Sequence, residues 1–298
     1  MAGGNSPAVR YLVFDVESVA DGSLVSRLRY PGQGLAPADA VRKYRDELMA
    51  KYESDFIPYT FHLPVAISAA KIAADFRLID VVSLDEPQFR PHVITSHFWR
   101  GWEGYRRPTL VSFNGRSFDL PLLELSAFRY GIPLPGWFQL TAKSYEQPRN
   151  RYNLEAHFDL CDLFTNFGAS RFSGGLNLAA QILGKPGKMD VQGFMVQDMW
   201  DAGQHQEISD YCRCDVLDTY FVFLRSRVLL GQLSLEREQE IVAGTHQWLQ
   251  ERAPATKAYR LYLDRWGDWQ NPWPSDLASA DQPAAPQAPS VQPAIEQS

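Results

Sequence analysis

Tyr11-Leu12-Val13-Phe14-Asp15-Val16-Glu17 is an apolar, β-branched run that closes on two carboxylates. Such a run reads as a buried strand. Side chains alternate along a strand, so Asp15 and Glu17 point to one face. They stand at its C-terminal end, where open α/β sheets carry ligand chemistry. Two like charges side by side repel unless they share a cation, and hard oxygen ligands suit Mg2+ or Mn2+. On its own, D-x-E is also the pattern of two solvated charges at a strand end.

Outward from this run, residues 37–52 read as an amphipathic helix with Val41, Tyr44, Leu48 and Tyr52 on one stripe. Strands are expected at 65–72, 78–84, 110–113 and 156–163, with short helices at 97–105 and 120–130. From Leu176 onward the pattern is helical: 176–183, one long helix over 206–230, then 235–252 and 256–266. Strands separated by helices in the first half imply an α/β sheet with a helical C-terminal half. The domain is expected over 1–267. Residues 268–298 hold six of the chain's 20 prolines, with Ala, Gln and Ser between them. That composition predicts a disordered tail.

The charge balance is 29 Lys+Arg against 35 Asp+Glu, a net −6, and no Lys or Arg follows Arg265. Overall charge therefore announces no nucleic-acid partner, although a local basic groove would suffice. The strongest basic-aromatic mixture is the connection 136–153, with Lys143, Tyr145, Arg149, Arg151 and Tyr152. It is read either as a substrate-binding rim or as a solvated loop. Three cysteines, Cys161, Cys212 and Cys214, describe neither a disulfide framework nor a zinc site. With no signal segment or membrane span expected, the assigned compartment is the cytoplasm.

Two more segments carry candidate chemistry. In Ser112-Phe-Asn114-Gly-Arg116-Ser-Phe118-Asp119-Leu-Pro121 a strand runs into a turn, and Asp119 stands where a helix begins. The plain reading is a helix N-cap; Arg116 and Phe118 also suit phosphate and base contact. In Tyr211-Cys-Arg-Cys-Asp215-Val-Leu-Asp218, Tyr211 and Asp215 are one helical turn apart on one face. A neutral phenol there can orient a water without adding charge. His157 and Asp159 also share a strand face.

The order D-x-E, N-x3-F-D-x-P, Y-x3-D resembles the tyrosine subgroup of the DEDD superfamily of 3′–5′ exonucleases, which have a ribonuclease H-like fold. FDVES, VSFNGRSFDLPLL, HFDLCDLF, LNLAAQILGKPGK and YCRCDVLDTY, in that order, are similar to the exonuclease domain of family B DNA polymerases. They are closer still to stand-alone bacterial proteins predicted as polymerase-B-like 3′–5′ exonucleases. The resemblance covers residues 11–230 and leaves no room for a polymerase domain.

The resemblance implies a ribonuclease H-like mixed sheet flanked by helices. It makes Asp15, Glu17, Asp119 and Asp215 the ligands of two ions, Mg2+ or Mn2+, and Tyr211 the residue that positions water. Asn114 and Phe118 match positions near the 3′ terminus of the bound strand, and Arg116 is read as a substrate contact. Ser18 stands where the family usually has Thr. His157 and Asp159 fall near the site but not among its ligands. The implied chemistry is in-line displacement at phosphorus between two cations, with Asp15 bridging them. The implied partner is nucleic acid with a free 3′ end, taken as single-stranded DNA. The alternatives are an exoribonuclease and a catalytically silent nucleic-acid-binding module.

Overall fold

The computed structural model describes residues 8–187 and 193–273. Five strands form one mixed sheet in the order β3-β2-β1-β4-β5: β1 (Tyr11–Ala20), β2 (His62–Ile72), β3 (Leu78–Ser83), β4 (Thr109–Ser112) and β5 (His157–Asp159). β1 pairs antiparallel with β2, and β2 with β3. β1–β4 and β4–β5 are parallel. The helices are α1 (Gly22–Arg29), α2 (Pro37–Tyr52), α3 (Pro91–Gly104), α4 (Asp119–Tyr130), α5 (Leu160–Thr165), α6 (Gly175–Ile182), α7 (Val196–Asp201), α8 (His205–Leu229), α9 (Leu235–Arg252) and α10 (Lys257–Asp264). This is the expected ribonuclease H-like arrangement: a mixed sheet flanked by helices, with a helical C-terminal half.

β1 lies at the centre because it can be buried on both faces, as its near-continuous apolar run allows. Val13 joins the core that includes Leu217, Tyr220 and Phe221 of α8. Leu12, Phe14 and Val16 join the opposite core, which holds Phe98, Trp99 and Trp102 of α3 and Leu122 and Leu123 of α4. α8 is buried along most of its length. It is therefore the interior helix of the molecule, with the sheet on one side and α9 and α10 on the other.

Most expected elements are present, and α2 runs from Pro37 to Tyr52 as read. The strand expected at 156–163 is a correction. Only His157–Asp159 is extended, and α5 starts at once, with the Asp159 carboxylate accepting from Cys161 N at 2.9 Å. A capped helix here offsets the alternation of the sequence. α1 and α7 were not expected; both are single-sided helices of eight and six residues, too short to show a period.

Of the expected tail, residues 274–298 lie outside the described residues. Its first residues touch the body: the Arg225 guanidinium lies 4.1 Å from the centre of the Trp269 ring. No helix among the described residues is long and apolar enough to cross a membrane.

Candidate active site

Strand parity decides which way the first two carboxylates point. Phe14 and Val16 face α3 and α4, so Asp15 and Glu17 share the face of Val13, toward α8. Directly after Glu17 the pairing with β2 shifts register, so that Glu17 opposes Ala66 and Ser18 opposes Pro64. Pro64 has no N–H to give to the ladder, and a bulge at such a point re-aims neighbouring side chains. Ser18 thereby meets His62, with Oγ 2.9 Å from Nδ1, while Glu17 stays buried on the α8 side.

α8 brings the third carboxylate. Ligand oxygens of Asp15, Glu17 and Asp215 all lie within 4.8 Å of one another. Tyr211, one turn before Asp215, is buried and feels the Asp215 carboxylate. Burial first, then the charges of Asp215, Glu17 and Asp15, holds the phenol far above its usual range. Tyr211 is therefore an un-ionised donor at any working pH. Cys212 sits between them with its Sγ 3.4 Å from the Asp15 carbonyl oxygen. Burial, then the charges of Asp15 and Glu17, hold its thiol well above the usual range.

Asp119 is not among the three acids whose oxygens lie within 4.8 Å of one another, but it is near enough to Asp15 for the two charges to repel. It is the first residue of α4, not its cap; Phe118 occupies the cap position and makes no side-chain cap bond. The turn that delivers it is tight. Asn114 adopts a left-handed φ of 66°, which Asn tolerates better than most residues. A Cβ on Gly115 would lie 2.4 Å from Ser112 Oγ and 3.0 Å from Asp119 Oδ2. Burial, then the charges of Asp15 and Asp159, pushes the Asp119 carboxyl well up. Three acids thus converge, and Asp119 lies near enough to Asp15 for their charges to raise one another's cost. That is the donor set and electrostatic imbalance that a divalent cation relieves.

The turn is held by a residue that sequence reasoning placed near the site but gave no task. The buried Asp159 carboxylate accepts from the backbone N–H groups of Asn114 and Arg116, both at 2.8 Å, and from Cys161 N at 2.9 Å. His157 is fully buried, with Nε2 2.8 Å from Ser112 Oγ, and its burial keeps it neutral. His157 and Asp159 are therefore scaffold for the turn. The signal available in the sequence was Asp159 one residue ahead of a helix, an N-cap pattern obscured by the strand reading.

The three expected substrate contacts separate. Asn114 and Phe118 line a cavity of about 640 Å³ that also includes Glu17, Ser18 and His62. Arg116 is engaged elsewhere: its Nε donates to Asp162 at 2.7 Å, and a terminal nitrogen donates to the His157 carbonyl at 3.2 Å. The basic connection 136–153 is likewise folded onto the body. Arg149 grips Glu124 of α4 with two bonds of 2.7 Å. Arg151 lies 3.5 Å from Asp162 and donates to the Phe167 carbonyl.

Residues 54–266 match the family described as a predicted 3′–5′ exonuclease related to the exonuclease domain of PolB. The chain belongs to this family. The matched segment contains Asp119, Tyr211 and Asp215 and begins after β1 and α2. Among solved structures, the chain is similar to the family B DNA polymerase from the hyperthermophilic archaeon Pyrobaculum calidifontis. Identity is 15% and the TM-score 0.43, over 80% of this chain and 28% of the polymerase. The chain thus spans less than a third of that polymerase's length. No curated protein matches it. Membership of the polymerase-related exonuclease family supports a nuclease activity acting on nucleic acid.

Proposed function

We propose that this family member is a 3′–5′ exonuclease that hydrolyses the terminal phosphodiester bond of a single nucleic-acid strand, taken as DNA, with two divalent cations, Mg2+ or Mn2+. The observation that carries the reading is the convergence of Asp15, Glu17 and Asp215 within 4.8 Å, with the charge of Asp15 acting on Asp119 and the buried Tyr211 one helical turn from Asp215. Asp15, Glu17, Asp119 and Asp215 would hold the cations. Such ions supply, when bound, an acidified water and charge stabilisation for the leaving 3′ oxygen. The chain's own residues do the rest. Tyr211 stays protonated one helical turn from Asp215, and its hydroxyl oxygen can accept from an attacking water and so limit its direction. The Asp159 bonds to the turn fix Asp119. The cavity beside Glu17 receives the terminal nucleotide, with Phe118 and Asn114 on its wall.

The test is a strand labelled at its 5′ end, incubated with Mg2+ or Mn2+ and with EDTA. Stepwise shortening from the 3′ end, abolished by EDTA, is the expected result. Internal cuts or metal-independent cleavage would refute the proposal. Matched DNA and RNA strands decide the sugar, because the two differ to the protein at the 2′-OH.

A further inference from the structure

The segment between β1 and β2 carries α1 and α2, which precede the first residue matched to the exonuclease family. It is anchored, not loose. Val25, Tyr30, Ala40, Val41, Tyr44 and Ile57 form their own buried cluster with Ala20 at the end of β1. The chain leaving α2 is tied back to it by the Arg45–Asp55 ion pair, with Arg45 Nε 2.9 Å from Asp55 Oδ2. This fixed arm forms one wall of the 640 Å³ cavity, through Val41, Arg45, Asp55 and Phe56. The turn that delivers Asp119 adds Asn114, Ser117 and Phe118 to the same cavity, and Glu17 belongs to the cavity and to the carboxylate cluster alike.

Phe56 is the anomaly on this wall. Its ring lies 5.9 Å from Phe118 and 6.0 Å from His62, centre to centre, and His62 meets Phe118 edge-on at 5.9 Å. Three rings thus close on one another, yet Phe56 remains 58% exposed. The Ser18 contact fixes the His62 ring, and burial lowers its pKa to about 4, so it adds no cation to the cavity at neutral pH. An apolar ring left open beside a carboxylate site has one matching ligand in a strand laid across those carboxylates: a base, whose π-face stacks on aromatic side chains irrespective of sequence. The cavity lies within the roughly 300–1,000 Å³ range of sites for single small molecules.

We propose that Phe56, held by the α2 arm, is the stacking platform for the unpaired 3′-terminal nucleobase, and so a substrate-binding residue of the exonuclease. This rests on the proposed function, and the experiment separates the two. Binding is measured with Ca2+ in place of Mg2+ for two labelled DNA single strands, one natural and one abasic at its 3′-terminal nucleotide. Cleavage of the natural strand is followed in parallel with Mg2+. Wild type should prefer the natural end by about 5- to 150-fold, the worth of one stacked base. Phe56→Ala should lose that preference, Phe56→Trp should keep it, and Phe128→Ala, an exposed ring on α4, should leave it unchanged. A Phe56→Ala protein that still prefers the natural end overturns the inference while leaving the exonuclease reading intact. A wild type that neither shortens nor binds either strand overturns both.

Discussion

In the cation-free protein Asp119 is buried and repelled by the charge of Asp15, which together push its carboxyl up. Replacing it by Asn removes that repulsion and keeps the shape. Asp119→Asn should therefore abolish cleavage while raising the melting temperature in EDTA by roughly 2–4 °C, the effect of about 1 kcal/mol. It should also lose the stabilisation that Mg2+ gives wild type. A variant with wild-type activity would refute the assignment, and one that melts lower in EDTA would mean the carboxyl is structural. Tyr211 has a smaller task. Tyr211→Phe removes one buried hydroxyl beside the carboxylates and no ligand, so cleavage should fall about 10- to 100-fold, the worth of one hydrogen bond to a charged group. Asp15→Ala should be inactive. Titration of metal affinity separates the two, since only Asp15→Ala should bind weakly.

At the scale of elements, the turn between β4 and α4 depends on a neighbour. The Asp159 carboxylate closes three backbone N–H groups at once, two on the turn and one at the start of α5. Asp159→Ala leaves these donors without their acceptor and should cost about 2–4 kcal/mol in urea unfolding. Activity should fall as well, because Asp119 rides on the same turn. Asp159→Asn, with one acceptor oxygen where the carboxylate has two, should be intermediate. If the Ala variant kept full stability, the turn would owe its form to Asn114 and Gly115 alone. The strand expected at 156–163 divides into β5 and α5 for the same reason. Periodicity ranks apolar positions but cannot see a carboxylate that three separated N–H groups converge on.

At the scale of the molecule, α8 joins the site to the C-terminal helices. Asp218 is fully buried on it and accepts from the Tyr262 hydroxyl of α10 at 2.7 Å. The Gly187 backbone and Lys185 also favour its charged form, yet burial raises its pKa from 3.8 to about 7. Lys185, held by the Gly267 carbonyl at 2.9 Å, is lowered to about 8 by its own burial. The signs differ in consequence. The Asp218 contribution to stability is complete below about pH 4 and is lost as pH rises through about 7. That of Lys185 changes only above about pH 8. Asp218→Asn keeps the acceptor for Tyr262 and cannot ionise. Its stability relative to wild type should therefore climb between pH 4 and 7, by on the order of 4 kcal/mol. Denaturant midpoints taken across that range give the answer, and a constant difference would show that Asp218 does not titrate there. Trp269, seated against Arg225, extends the same packing past α10, so Trp269→Ala should lower the melting temperature.

By itself the sequence determined what local chemistry can specify. The parity of Asp15 and Glu17, the one-turn spacing of Tyr211 and Asp215, the apolar run of β1 and the stripe of α2 each depend on residues within a few positions of one another, where strand and helix periods act directly. The family followed from the order of these local patterns. Only the tertiary structure decided how far the acids press on one another, because burial and Coulomb coupling arise between elements about a hundred residues apart. It decided that Arg116 and Arg149 turn to Asp162 and Glu124. An arginine's partner is chosen by the nearest carboxylate in space, which no spacing along the chain encodes. It also decided that Phe56, an ordinary residue in a loop by sequence, stands open beside Glu17, because the packing of α2 on the end of β1 carries it there.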